Sequence, residues 1–122
     1  MGMFQVKVGL ANPSAPERLR EVELLVDTGA TLSWVPAEIL KGLGVGVVSR
    51  FEFQLADGRV LERDVGAALF RINGRKLIIP VAFGEPGEEA VLGATALEAL
   101  GFAVDPIEMK LVPRKLLALL RI

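Results

Sequence analysis

Asp27-Thr28-Gly29 follows the apolar run Leu24-Leu25-Val26 and is the segment of this 122-residue chain best suited to chemistry. The chain contains no histidine and no cysteine. Ser-His-Asp and Cys-His catalysis, imidazole zinc sites, thiolate metal sites and disulfides are therefore excluded. Any acid–base step falls to carboxylates, lysine or metal-bound water. Taken alone, the triplet also fits an Asx-type turn that closes a strand and does no chemistry. The other acidic residues read as structural. Asp64 lies on a returning strand, and Asp105 precedes Pro106 in a turn. Glu85, Glu88 and Glu89 could attract a cation but read as a solvated loop. Trp34 reads as core or interface packing, not as a platform for a ligand.

The elements that must position Asp27 are mainly strands. Phe4, Val6, Val8 and Leu10 alternate with Gln5, Lys7 and Gly9, the period of a half-buried strand. A turn at 12–16 follows, and Val22, Leu24 and Val26 alternate again up to Asp27, so the two runs predict a hairpin. Pro36 to Leu40 predicts a short helix ended by Gly42 and Gly44. Phe51, Phe53 and Leu55 alternate toward Asp57-Gly58, a two-residue hairpin signal, and Val60 to Val65 is the returning arm. The pattern repeats with Ala68 to Ile72, Asn73-Gly74 and Lys76 to Phe83, where Pro80 predicts an edge or a bulge. Thr95 to Leu100 predicts a helix closed by Gly101. The expected class is all-β, with one or two short helices, as a single domain over 1–122.

Composition agrees with a buried core. Hydrophobic residues make up 52% of the chain and charged residues 24%, which excludes a disordered tail. So apolar a small chain has little interior to hide its surface in, and a partner subunit is expected to cover part of it. The net charge of -1 offers no cationic surface for nucleic acid or anionic lipid. No run approaches the roughly 20 apolar residues of a membrane span, and the start lacks the apolar core of a signal peptide. The expectation is a soluble, cytoplasmic protein with no nucleic-acid or membrane partner.

Leu24-Leu25-Val26-Asp27-Thr28-Gly29-Ala30-Thr31 resembles the active-site loop of the retropepsin-like aspartic proteases. Leu32-Ser33-Trp34-Val35 continues it with the family's apolar follow-through. Val91-Leu92-Gly93, some sixty residues on, is similar to the family's second hallmark, two apolar residues and a glycine before a short helix. The resemblance covers roughly Phe4 to Pro113 and extends through Leu97, Leu100-Gly101-Phe102 and Val104-Asp105-Pro106. It implies a closed acid-protease β-barrel that is one half of a two-fold dimer. It also implies that segment 91–93 threads behind the active-site loop, with Gly93 permitting close backbone approach.

Such enzymes hydrolyse peptides without metal or cofactor. One carboxylate activates water while another acts as the acid. Two carboxylates about 3 Å apart share one proton and titrate as a pair, and aspartic proteases are the standard instance. This chain has one Asp-Thr-Gly, so the resemblance implies a homodimer with Asp27 supplied twice. Thr28 would hydrogen-bond across the axis and stiffen the loop. Gly29 would admit substrate, and Ala30 would leave the carboxylate uncrowded. The hairpin from Gln54 to Val65 would be a flap over an extended peptide or protein substrate. Its tip, Ala56-Asp57-Gly58-Arg59, is polar and charged, where family flaps often carry aromatic or glycine-rich tips. Substrate pockets are expected to be lined by Ala30, Val35, Leu55 and Val81. The apolar tail Leu116 to Leu120 fits either an interleaved strand or a short amphipathic helix. Two other readings stay open: a dimeric module that binds peptides without cutting them, and a small barrel with no active cleft.

Overall fold

The computed structural model describes residues 2–121, and the side chains of residues 4–121. β1 (Gly2–Ala11) and β2 (Arg20–Asp27) pair antiparallel, with Val6 opposite Leu24 and Val8 opposite Val22. Alternation does what the sequence predicts: Val8, Leu10, Leu24 and Val26 are fully buried. β3 (Ser33–Pro36) runs into α1 (Ala37–Gly42), where Pro36 takes the position just before the first helical residue. β4 (Ser49–Gln54), β5 (Val60–Ile72), β6 (Arg75–Gly84) and the two-residue β7 (Val91–Leu92) follow. α2 (Ala94–Leu100) ends on Gly101, which is left-handed at φ 75°, as a helix-closing glycine should be. β8 (Phe102–Asp105) and β9 (Lys110–Pro113) form a separate two-stranded sheet.

The larger sheet has seven strands in the order β1-β2-β7-β3-β6-β5-β4, and an additional β1–β5 pairing closes six of them into a barrel. β4 hangs outside that ring, on β5 alone. β5 explains how this is possible. Its first half, Val60 to Val65, pairs with β4, while Val65 to Ile72 pairs with β6 and Leu69 to Arg71 with β1. The arm expected at 60–65 and the run at 68–72 are thus one 13-residue strand. The ladder does not break between them because Val65 pairs with both β4 and β6. Gly66 marks a close approach, not a stop: a Cβ there would collide with the Gly46 carbonyl oxygen.

Asn73 and Gly74, both at positive φ, join β5 to β6 as the predicted two-residue turn. The other hairpin differs from its expectation. The Leu55 N–H donates to the Arg59 carbonyl and the Gly58 N–H to the Leu55 carbonyl. The connection is therefore three residues, Ala56-Asp57-Gly58, with Gly58 at φ 91°. Pro80 sits where β6 has a partner on one side only, since the parallel pairing with β3 begins at Val81. The tail forms neither of its expected structures within this chain. Residues 114–121 have no regular structure, and Leu116, Leu117, Leu119 and Leu120 are exposed.

Candidate active site

Asp27 is the last residue of β2 and is half-buried at the mouth of the barrel. Its Oδ1 accepts the Gly29 N–H at 3.0 Å, and its carbonyl accepts the Ala30 N–H at 3.2 Å. The local geometry is an Asx-type turn, so this feature is present whatever the site does. The surroundings distinguish it from an ordinary turn. β7 pairs parallel to β2, with Leu25 opposite Val91 and Val26 opposite Leu92, and antiparallel to β3 at Trp34–Val91. Val91-Leu92-Gly93 therefore runs behind the Asp27 loop and touches the strands on both sides of it.

The loop is clamped at several backbone points. The carbonyls of Ala30 and Thr31 accept the N–H groups of Ala94 and Thr95 at 2.7 and 3.0 Å. These are donors of the first turn of α2, which has no partner for them within the helix. A Cβ on Gly93 would lie 2.6 Å from the Leu32 carbonyl and 2.8 Å from the Ala30 oxygen. Gly93 is extended, at φ -94°, so the requirement is for space and not for a left-handed backbone. Ser33, fully buried, accepts the Gly93 N–H on its hydroxyl at 2.9 Å. Sequence reasoning passed over Ser33; its one signal was a lone hydroxyl inside an apolar run.

In front of Asp27 lies a cleft of about 790 Å³. Its floor includes Asp27, Gly29, Ala30 and Thr31, and its facing wall is Phe51 to Ala56 of the β4–β5 hairpin. Of the four tip residues, Ala56 lines the cleft while Asp57, Gly58 and Arg59 do not. Asp57 and Arg59 instead satisfy one another, with Arg59 Nε donating to Asp57 Oδ2 at 2.7 Å. Thr28 is exposed and lies outside the cleft lining. Ala30 and Leu55 line the cleft as expected, but Val35 and Val81 are fully buried core residues. Strand alternation gives the reason: on β3, Trp34 faces the cleft and its neighbour Val35 must face inward.

Trp34, expected as packing, is half-buried and also lines the cleft wall. Its ring meets Phe53 edge-on at 5.0 Å, and the Arg63 guanidinium lies 5.8 Å from its centroid. Arg63 is paired with Glu88, Nε to Oε1 at 3.1 Å and Nη2 to Oε2. Glu88 Oε1 also accepts the Glu85 N–H at 2.7 Å. The loop expected to be merely solvated is thus anchored through a mostly buried ion pair. The hydrogen bond from Arg63 holds the Glu88 carboxyl below the ordinary glutamate value, and burial opposes it. The hydrogen bond to Glu88 raises Arg63 in turn. Among the described residues, no group of three or more acidic side chains is arranged to hold a metal ion, and no helix is long and apolar enough to cross a membrane.

No protein-family model matches the chain, and neither does any curated protein sequence. Solved structures do match. The solution structure of the simian foamy virus (mac) protease superposes with a TM-score of 0.57 at 18% identity, over 80% of this chain and 94% of the viral one. The EIAV protease in complex with the inhibitor HBY-793 gives a TM-score of 0.57 at 18% identity, over 81% of this chain and 88% of the other. The fold is retropepsin-like.

Proposed function

We propose that this chain is an aspartic endopeptidase that works as a homodimer, with 1–122 as a single domain and Asp27 of each subunit at the two-fold axis. One observation carries the reading. Asp27 and Gly29 of the lone Asp-Thr-Gly lie on the floor of a cleft, buttressed by segment 91–93 and faced by a strand hairpin, in a retropepsin-like fold. One carboxylate cannot act as base and acid at once. A second Asp27, brought by an identical chain, would share its proton and complete the pair. Thr28, exposed in the single chain, is then available to hydrogen-bond across the axis. The backbone clamps on Ala30 and Thr31 would keep the loop from relaxing when the two carboxyl groups meet.

The β4–β5 hairpin is assigned as the flap, with Ala56, Asp57, Gly58 and Arg59 at its tip. An extended peptide between hairpin and floor would gain strand-like backbone hydrogen bonds. Its side chains would meet Leu32, Trp34, Phe51, Phe53 and Leu55, so apolar residues are favoured next to the scissile bond.

The test is to incubate the purified protein with an apolar peptide library from acidic to neutral pH, beside Asp27→Asn. Cleavage by the wild type alone is the expected result. Equal cleavage by both proteins would sink the proposal. Binding of peptides with no turnover at any pH would turn the reading into that of a peptide-binding module.

A further inference from the structure

Trp34 is the only tryptophan in the chain, and it stands in the cleft wall against two supports, Phe53 within the lining and Arg63 outside it. Phe53 comes from β4 and Arg63 from the facing arm of β5, so both belong to the hairpin that closes the cleft. Arg63 is itself held from a third element, the loop between β6 and β7, through Glu88 and more distantly Glu85 at 3.5 Å. The side chains of the pair are only 13% and 24% exposed, unlike the other ion pairs of the hairpin, which are open to solvent. A free arginine over a tryptophan would sample many rotamers. One forked onto a carboxylate keeps its plane and its distance from the ring.

We propose that Arg63 and Glu88 are positioning residues that fix the Trp34 ring as the selective wall of the cleft, setting its preference for a peptide with a large apolar side chain beside the reacting carbonyl. This rests on the reading of the cleft as a peptide site. It goes further in naming which residue selects the side chain and what holds that residue in place. The brace has a second consequence. It ties the base of the hairpin to the loop that leads into Val91-Leu92-Gly93, so the distance between cleft wall and floor depends on it. Neither Arg63 nor Glu88 lines the cleft, and neither would touch substrate. Their loss should therefore weaken peptide binding and leave the carboxylate chemistry nearly intact.

The experiment uses the emission of Trp34, which reports this ring alone, in the full-length Asp27→Asn protein, where peptide is not consumed. The probe is an acetylated hexapeptide with two central phenylalanines, beside one with two central glycines. Quenching or a blue shift by the phenylalanine peptide is expected, with at least about tenfold weaker binding of the glycine peptide. Adding Arg63→Met, which keeps bulk and removes the fork, or Glu88→Gln should shift the free-protein emission and weaken the phenylalanine peptide by about five- to thirtyfold. Arg63→Lys should recover only part of this, since an ammonium lacks the planar fork. On the active background the same changes should raise KM and leave kcat within about threefold. Circular dichroism and thermal unfolding establish that each variant is folded. Unchanged Trp34 emission and unchanged affinity in folded Arg63→Met would overturn the proposal. So would a peptide that binds without altering Trp34 emission, or no binding of the phenylalanine peptide at all. A peptide that binds, senses Arg63 and is never cleaved by the wild type would leave the brace standing and remove the protease reading instead.

Discussion

Gly93 donates its backbone N–H to the buried hydroxyl of Ser33 at 2.9 Å, and this bond fastens the strand after Asp27 to the segment that runs behind it. The two residues are sixty positions apart. Their contact makes Val91-Leu92-Gly93 a support for the Asp27 loop and not merely a nearby strand.

Both ends of this clasp should be sensitive, for different reasons. Ser33→Ala leaves the Gly93 N–H buried without its acceptor, which costs about 1–3 kcal/mol. Gly93→Ala forces a methyl group into the Leu32 and Ala30 carbonyls and should cost about 3 kcal/mol or more. Urea unfolding of the two variants, compared with wild type, measures both and should rank them in that order.

Acid should weaken the Arg63–Glu88 brace, and the sign follows from the direction of the shift. Glu88 titrates lower in the folded chain than its ordinary value of 4.5 because Arg63 donates to its charged form. The stabilisation is therefore complete above pH 4.5 and is lost as pH falls through the lowered value. Glu88→Gln should remove that limb of the pH–stability curve while costing about 1–2 kcal/mol near neutrality, the pair being only partly exposed. Thermal unfolding from pH 3 to 7 checks it.

A site made of two Asp27 residues has a statistical signature. If wild-type and Asp27→Asn chains exchange freely at equal amounts, about one quarter of the dimers carry both carboxylates. Activity should fall to that fraction of an all-wild-type sample. A chain that works alone would instead keep about half, and a peptidase assay on the mixture separates the two.

The exposed leucines of the tail are apolar surface that the proposed homodimer would cover. Leu117 is 89% exposed and Leu119 100% exposed in the single chain. If the tail covers the partner subunit in that homodimer, removing residues 116–122 should shift sedimentation from dimer to monomer. The backbone bond from Arg114 to Gly101 remains, so the unfolding of the monomer should change by less than about 1 kcal/mol.

Much of the fold was legible in the sequence because the signals were local. Period-two alternation marked β1, β2 and β4, the positive-φ pair Asn73-Gly74 marked the turn into β6, and Gly101 marked the end of α2. Asp57-Gly58 carried the right message, a hairpin, with the wrong loop length. Such a pair fits either a two- or a three-residue connection, and the strands decide between them. The continuity of β5 through Gly66 was hidden for a related reason. What keeps that strand whole is the handover from β4 to β6 at Val65, a relation between distant segments.

The candidate site divides the same way. Asp27-Thr28-Gly29 and Val91-Leu92-Gly93 were picked out together by their resemblance to the retropepsin-like pattern, and residue type at a strand end predicts by itself only the Asx turn. Which side chains surround the carboxylate was decided only when the sheet closed on itself. Alternation told that Trp34 and Val35 face opposite ways but not which of them faces the cleft; closure of the barrel put Val35 in the core. The Arg63–Glu88 pair joins positions twenty-five residues apart on two elements with no shared local pattern. Its existence depends on a closed barrel that brings the hairpin arm beside the loop before β7, and no period or motif in a linear chain encodes that distance.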